Sequence, residues 1–481
     1  MRISIVRLLA AQTIQAAFRS PAVRVLLGIL VLLLLFAAYQ GIHIYREQTA
    51  TRLHYQKEVR AHWEEMPDKH PHRMAHYGYI VFRPKHPLSV MDYGMESYTG
   101  NAVFLEAHRQ NTVNFSEAGF STGMLRFGEI STALVLQAFL PLVLFFVGFG
   151  AIAADREAGT LKILLSQGAS WKELIYGKAL GLWILALAVS GPFLLLMTLA
   201  AVFLDPAAAG DTAARGLGML VSYALYYAVI SLFTLIVSAV CSRAKGALVS
   251  LIGCWLVAFI LIPRTAQALG TYFYPSPSRI AFEAAVEKEL IRKGDSHNPD
   301  DPYYRSLKDS VLRAYGVDSV QQLPFNYSGF QMKEGERVSS ETYNRHLQAL
   351  LRTFERQNRI TRLTSWINPY GALRQVSMAV SGTDFPHHLQ FQQQAEAFRY
   401  RLAQHMNELQ IRLISNRKPG ASEKPHALSR TYWKAFPDFC YRQPPLAAVM
   451  KSGSGSFAAL LCWLAALIVL TGTLTKKLKA F

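Results

Sequence analysis

Charge is scarce in this 481-residue chain: Asp, Glu, Lys and Arg together make up 17% of it, against about 25% in soluble domains. Cysteine is scarcer still. Cys241, Cys254, Cys440 and Cys462 form no CxxC pair, which removes the usual zinc and thioredoxin-type readings. The apolar runs have no Asp, Glu, Lys or His in their central parts, whereas ion-coupled carriers commonly place ionisable groups at the midplane. No GxSxG, HExxH or paired-carboxylate motif stands in a recognisable context. A nucleotide-binding loop is also missing: Gly177-Lys178 is followed by Ala179, and Lys172 stands where the first glycine belongs. Acidic residues are too few to balance the basic ones, leaving a net charge of +18. Yet no zinc-finger spacing, basic zipper or aromatic-interleaved basic motif accompanies that excess, so no nucleic-acid partner is expected.

What the chain has in abundance is apolar sequence, 51% of residues, gathered in long blocks that hold no charged residue apart from Arg24 at the lip of the first. About 20 apolar residues cross a hydrocarbon core. Six blocks meet or approach that length: 22–42, 130–153, 179–204, 216–240, 246–262 and 456–475. The expected fold class is therefore an all-α polytopic membrane protein with six transmembrane helices. The short segments that alternate to one side carry Arg2, Arg7, Arg19, Arg24, Arg156, Lys162, Lys172, Lys178, Arg243, Lys245, Lys476, Lys477 and Lys479. The positive-inside rule makes that side cytoplasmic, with both termini on it. The other side receives 43–129, the short loop 205–215, and 263–455. With Cys254 and Cys462 in spans and Cys241 cytoplasmic, only Cys440 is left outside, so no disulfide is expected within the outer domain.

Residues 1–21 place Ile5, Leu8, Leu9, Ile14 and Phe18 between arginines, which fits either an amphipathic helix in the membrane interface or an ordinary cytoplasmic tail. The outer segments read as a mainly helical domain with some β structure. Phe391, Ala395, Phe398, Leu402, Met406, Leu409 and Leu413 recur at steps of three and four, as do Tyr343, Leu347, Leu350 and Phe354. "YGYIVFRP" has the composition of a strand ended by Pro84. Ser276–Pro277 and Pro419–Pro425 read as loops, and "KSGSGS" (451–456) as a flexible joint before the last span. Residues 241–245 and 476–481 complete the cytoplasmic side as a short loop and a tail.

The densest signal is 154–178, where the second span runs out into Asp155-Arg156-Glu157 and a turn at Gly159-Thr160. A short amphipathic stretch follows, and then Ser170 and Glu173 at capping-box spacing. From the residues alone this is a cytoplasmic helical hairpin held against the membrane, or a generic amphipathic loop with solvated charges. "AADREAGTLKILLSQGASWKELIYGK" resembles the segment after the second span of type 2 ABC exporter permeases: an acidic–Arg–Glu–x–Gly–Thr–Leu pattern, then Leu-Leu-Ser, then Gly-Lys. Many members carry Pro and Arg where this chain has Gly168 and Trp171. Long outer segments containing "AHYGYIVFRPKHPLSVMDYGMESYTG" and "SGTDFPHHLQFQQQAEAFRYRL" are similar to those of a bacterial subgroup of that family.

The resemblance implies a permease subunit in the bacterial inner membrane. Its ATPase-coupling residues would be Asp155, Arg156, Glu157, Gly159, Thr160, Leu161 and Lys178, and residues 1–21 would be an interfacial elbow helix. It implies a separate ATPase partner that binds ATP and Mg, a second permease copy or a homologous permease, and a periplasmic partner for the outer domain. The chain itself would be neither an enzyme nor a cofactor carrier.

Two further groups are candidates. Gln137, Tyr223, Tyr226, Tyr227 and Trp183 are polar or aromatic positions that either line a pathway or pack between helices. His70, His72 and His76, with Met66 and Met74, offer imidazole and thioether ligands for copper or zinc, against the simpler expectation of surface or structural histidines. His387-His388 carries less weight. The rival functions are accordingly a metal-related membrane component and a non-transporting scaffold or sensor with an outer binding domain.

Overall fold

The computed structural model describes residues 1–111, 130–298, 300–417 and 426–478. Among them, six helices are long and apolar enough to cross a membrane: Pro21–Glu65, Thr132–Glu157, Trp171–Leu204, Pro206–Val240, Ala244–Phe273 and Leu446–Leu474. The protein is a helical, multi-pass membrane protein. The loop read at Pro419–Pro425 and Lys479 of the tail lie outside the described residues.

Every span covers the apolar block that announced it to within two residues, but the helices do not end where the apolar runs do. The first continues to Glu65, some 20 residues beyond the block, because 43–65 holds no glycine after Gly41 and no proline before Pro67. Ion pairs such as Arg60–Glu64 at 2.7 Å brace its polar half. Hydrophobic length reports membrane thickness; helix length reports the next breaker. The fifth span likewise extends to Phe273 instead of stopping at Ile262. "KSGSGS" is not a joint: it lies inside the helix Leu446–Leu474. Ser452 and Ser454 turn their hydroxyls back onto the carbonyls of Val449 and Lys451, and Ser456 Oγ donates to Gln375 Oε1 at 2.8 Å. Tertiary packing there outweighs the weak helix propensity of serine and glycine.

The second and fourth spans are 61% buried within the protein and the fifth only 11%, so the second and fourth form the centre of the bundle and the fifth its rim. Two π turns, Val135–Phe139 and Val257–Leu261, interrupt the second and fifth spans. Each ends two residues before a proline, Pro141 and Pro263, whose ring has no N–H and crowds the carbonyl four residues back. The wider turn relieves that crowding and frees carbonyls for other donors.

The N-terminal stretch is a helix, Ile3–Arg19, lying across the third span. Gly177 and Gly181 permit the contact: a Cβ there would stand 2.7 Å from Leu9 Cβ and from the Ala10 carbonyl oxygen, respectively.

At the opposite end of the bundle stands a polar domain. It comprises α1 (Pro71–Ala75), β1 (Tyr79–Phe82), β2 (Ala102–Leu105), α2 (Arg279–Lys293), α3 (Pro302–Tyr315), α4 (Tyr327–Thr364), α5 (Pro369–Ser381) and α6 (Phe385–Leu413). The two strands pair antiparallel, Tyr79 opposite Leu105 and Phe82 opposite Ala102. The expected stripe of α6 is buried from Phe391 through Met406, while Leu413 at its end is exposed. It packs on Trp63, Tyr79, Val103 and Trp433 in one shared core, so the segment after the first span and the segment before the sixth form one unit. Trp63 Nε1 donates to the Trp433 carbonyl at 2.9 Å, tying the extended first span into that core. On α4, Leu347 is buried as expected and Leu351 joins it. Helix α5 spans nothing. It seats against the fourth and sixth spans and, with the 3₁₀ turn Pro87–Val90, caps the end of the bundle.

Candidate functional site

The hairpin after the second span is built and clamped. Ser238 Oγ accepts the N–H groups of Ile152 and Ala153 at 3.0 and 3.1 Å and donates to the Phe149 carbonyl, fixing where the second span turns. A short helix Ala153–Glu157 follows, then Gly159 at φ +76°, a left-handed position suited to glycine, then the helix Thr160–Ser166. Thr160 Oγ1 lies 3.1 Å from both the backbone oxygen and Oδ1 of Asp155, closing the turn on itself. Leu161 is buried, with Leu164 and Leu165 packed beside it against Ile175 and Leu235.

Three charged contacts link this hairpin to the rest of the bundle. The Arg156 guanidinium donates to the carbonyls of Ala239 (2.7 Å) and Cys241 (2.5 Å) at the end of the fourth span, where the helix leaves its last carbonyls unpaired. Its carbon also lies 5.9 Å from the Trp171 ring. Lys178, buried in the third span, reaches Asp155 Oδ2 at 2.5 Å and also the Ala151 carbonyl. Arg2 binds Glu173 through its backbone N–H (2.7 Å) and guanidinium (2.9 Å), while Glu173 completes the capping box with Ser170. Of the sequence-predicted residues, Asp155, Arg156, Thr160, Leu161 and Lys178 therefore hold the hairpin together. Glu157 remains exposed, as does Ile163 on the helix after the turn.

The predicted pathway residues converge in another way. Gln137 Nε2 donates to Tyr223 OH at 2.8 Å, Tyr226 OH to the Gln137 carbonyl at 3.0 Å, and Tyr227 OH to the Leu136 carbonyl at 3.0 Å. Trp255 Nε1 takes the Ala138 carbonyl at 3.0 Å. Three donors thus serve successive carbonyls of one π turn, whose own Gln137 amide donates outward to Tyr223, and the packing alternative describes Tyr223 and Tyr227 well. Trp183 is similarly occupied, donating to the Ala224 carbonyl at 2.8 Å. Gln137 and Tyr226 also border a cavity of about 560 Å³ walled by Phe145, Trp255, Phe259 and Tyr370. From Tyr223 the chain of hydrogen bonds continues through Ser377 to the buried Asp92, whose carboxyl burial pushes above its ordinary range.

The histidines separate. His70 caps α1, its Nδ1 accepting the His72 N–H at 3.3 Å, and Met74 is a core residue. His72 and His76, one turn apart, meet His108 and His297 instead, and one ring nitrogen from each of the four lies within 4.8 Å of the other three. Sequence inspection missed the latter two because each is a lone histidine in an unremarkable loop, at least 32 and 221 residues away from the pair. Burial pushes His72 down to about 3 with help from the neighbouring imidazoles, and His76 is lowered by the same causes. Behind His108, Glu336 Oε2 lies 3.1 Å from Nδ1 and accepts the His108 backbone N–H at 2.8 Å. Burial raises the Glu336 carboxyl, but His108 and Arg399, the latter 2.7 Å away, outweigh it and hold the group at about 2.

A family profile described as a domain of unknown function (DUF3526) matches residues 279–442, the part running from α2 through α6 to the segment after it. Neither a curated protein nor a solved structure matches the chain.

Proposed function

We propose that this protein is the membrane subunit of an ATP-driven transporter of the type 2 ABC exporter kind, working with a separate ATPase that supplies ATP and Mg chemistry. The observation that carries the reading is the clamped hairpin. It presents Glu157 and Ile163 outward, while Arg156, Lys178 and Arg2 join it to the fourth span, the third span and the elbow helix. Force applied at the tip by a moving ATPase would reach all three elements together. An ordinary solvated loop needs none of these contacts.

Lys and Arg crowd the hairpin end of the bundle, which supports a cytoplasmic hairpin, cytoplasmic termini and a polar domain outside the inner membrane. The rim position of the fifth span favours a second permease, identical or homologous, packed on that side. The aromatic cavity between the second, fourth and fifth spans is where a pathway bordered by Gln137 and Tyr226 would open, and its apolar walls suit an apolar portion of a substrate. The polar domain would hand substrate to, or receive it from, an outer partner.

The test is hydrolysis by the reconstituted complex of this chain with its ATPase. Glu157→Lys and Gly159→Val are expected to leave membrane insertion intact and abolish the permease-dependent part of the ATPase rate. An unchanged rate with both replaced would sink the proposal.

A further inference from the structure

Four imidazoles from three separate stretches of chain meet at one point on the polar domain. His72 and His76 come from α1 and its C-terminal end, His108 from the segment following β2, and His297 from the connection between α2 and α3. Their rings stack edge to face or tilted: His72–His76 centroids are 4.7 Å apart, His76–His108 5.1 Å and His108–His297 5.1 Å. Packing alone does not account for what their nitrogens do. His72 Nδ1 and His108 Nε2 are buried and have no hydrogen-bond partner among the described residues, a costly condition for a ring nitrogen. His108 is also the one non-glycine residue with positive φ (+59°) among the described residues, a backbone state that the surrounding structure must impose.

Both peculiarities have a common explanation. Glu336 faces Nδ1 of His108, which leaves Nε2 of that ring as the free donor atom aimed at the other three imidazoles. A carboxylate behind an imidazole, fixing its tautomer and orientation, is the usual outer partner of a metal-ligating histidine. Arg399 in turn holds Glu336 at 2.7 Å. Tetrahedral zinc, with Zn–N bonds of about 2.0–2.1 Å, sets its ligand nitrogens about 3.4 Å apart. Ligand atoms already within 4.8 Å of one another need to close by little more than about 1 Å.

We infer that His72, His76, His108 and His297 form a binding site for one divalent transition-metal ion of the zinc, copper(II) or nickel class, with Glu336 as the positioning residue of His108. An all-imidazole set of four suits those ions and excludes calcium and magnesium, which take oxygen ligands. The thioethers play no part, since Met74 is in the core and Met66 packs against it with its sulfur facing Lys69 Nζ. Once filled, the site ties α1, the 108–111 stretch and the α2–α3 connection together. Residues 108–111 also wall a cavity of about 500 Å³ beside α2 and α4, so the ion would set the shape of that wall. The inference stands apart from the transport reading; either survives failure of the other.

The experiment uses the full chain in detergent, carrying a tag without histidine, stripped with chelator and titrated with Zn²⁺ and Cu²⁺. One ion per chain is expected. Copper EPR should show imidazole-nitrogen coupling that loses one nitrogen in His76→Ala. His76→Ala and His297→Ala replace exposed side chains and should keep the metal-free melting midpoint while weakening affinity at least about tenfold. Glu336→Gln should retain the stoichiometry and weaken affinity about 10–100-fold, and His70→Ala, which removes the cap of α1 but no ligand, should retain one ion per chain and the full nitrogen coupling. Substoichiometric uptake overturns the inference. So does uptake indifferent to His76→Ala and His297→Ala, or an EPR signal lacking nitrogen coupling.

Discussion

Replacing Lys178 by Met removes the buried cation that holds the hairpin to the third span, and the size of the effect follows from the exposure of the pair. The Lys178 side chain is 11% exposed and its partner Asp155 30%, at 2.5 Å. Stranding one member of a fully buried pair costs about 3–5 kcal/mol, whereas breaking an exposed pair costs about 0–1 kcal/mol. A pair between these limits should lose about 2 kcal/mol, and that loss falls on local opening of the hairpin instead of global unfolding. At a factor of ten for each 1.4 kcal/mol, amides from 159 to 167 should exchange with deuterium about 30-fold faster, while those of the fourth span stay protected. The assay is hydrogen exchange read by mass spectrometry on the protein in detergent. The double variant Lys178→Met with Asp155→Asn relieves the stranded carboxylate and should recover much of the protection. Exchange that does not change in the single variant, or a double variant as open as the single, would refute the clamp.

Four other outcomes follow from single side chains. Phe391→Ala empties the centre of the polar-domain core and should cost about 3–5 kcal/mol, read as a lower melting midpoint of that domain with the spans unaffected. Tyr227→Phe leaves the Leu136 carbonyl of the π turn without its donor and should cost about 1–3 kcal/mol in a denaturant titration. Gly453→Ala and Gly455→Ala meet open space inside a helix and should stabilise it by about 0.5–1 kcal/mol each, where a flexible joint would show no gain. His388 is pushed down to about 4 by burial and then by Arg83, so its contribution to stability is present above about 6.5. It is lost as pH falls from there through about 4; the melting midpoint should drop over that window, and by less in His388→Leu.

Local chemistry was legible where cause and effect are neighbours in sequence. Ser170 and Glu173 announced a capping box that is present, and the spacing from Phe391 to Met406 announced the buried face of α6. "YGYIVFRP" became a strand ending before Pro84. Errors arose where tertiary packing outweighs propensity, as at 451–456, and where an apolar run was equated with a helix, as at the first and fifth spans. The π turns had a signal that was passed over, a proline inside the second apolar block (Pro141) and one directly after the fifth (Pro263). His108, His297 and Glu336 had none: each is ordinary in its own stretch, and only the meeting of α1, β2 and α4 gives them a shared neighbourhood. Arg2 is a similar case, since nothing near it names Glu173, 171 residues on, as its partner.

The most direct measurement places a photo-crosslinking residue at Ile163, on the exposed tip of the hairpin, and a second at Tyr98, exposed on the polar domain, in cells that express the proposed ATPase partner. The expected result is a covalent adduct with an ABC ATPase from position 163, diminished when Glu157 is replaced by Lys, and no such adduct from position 98. An adduct from position 98, or none from 163 while the ATPase is present, would contradict the assignment of the hairpin as the coupling element.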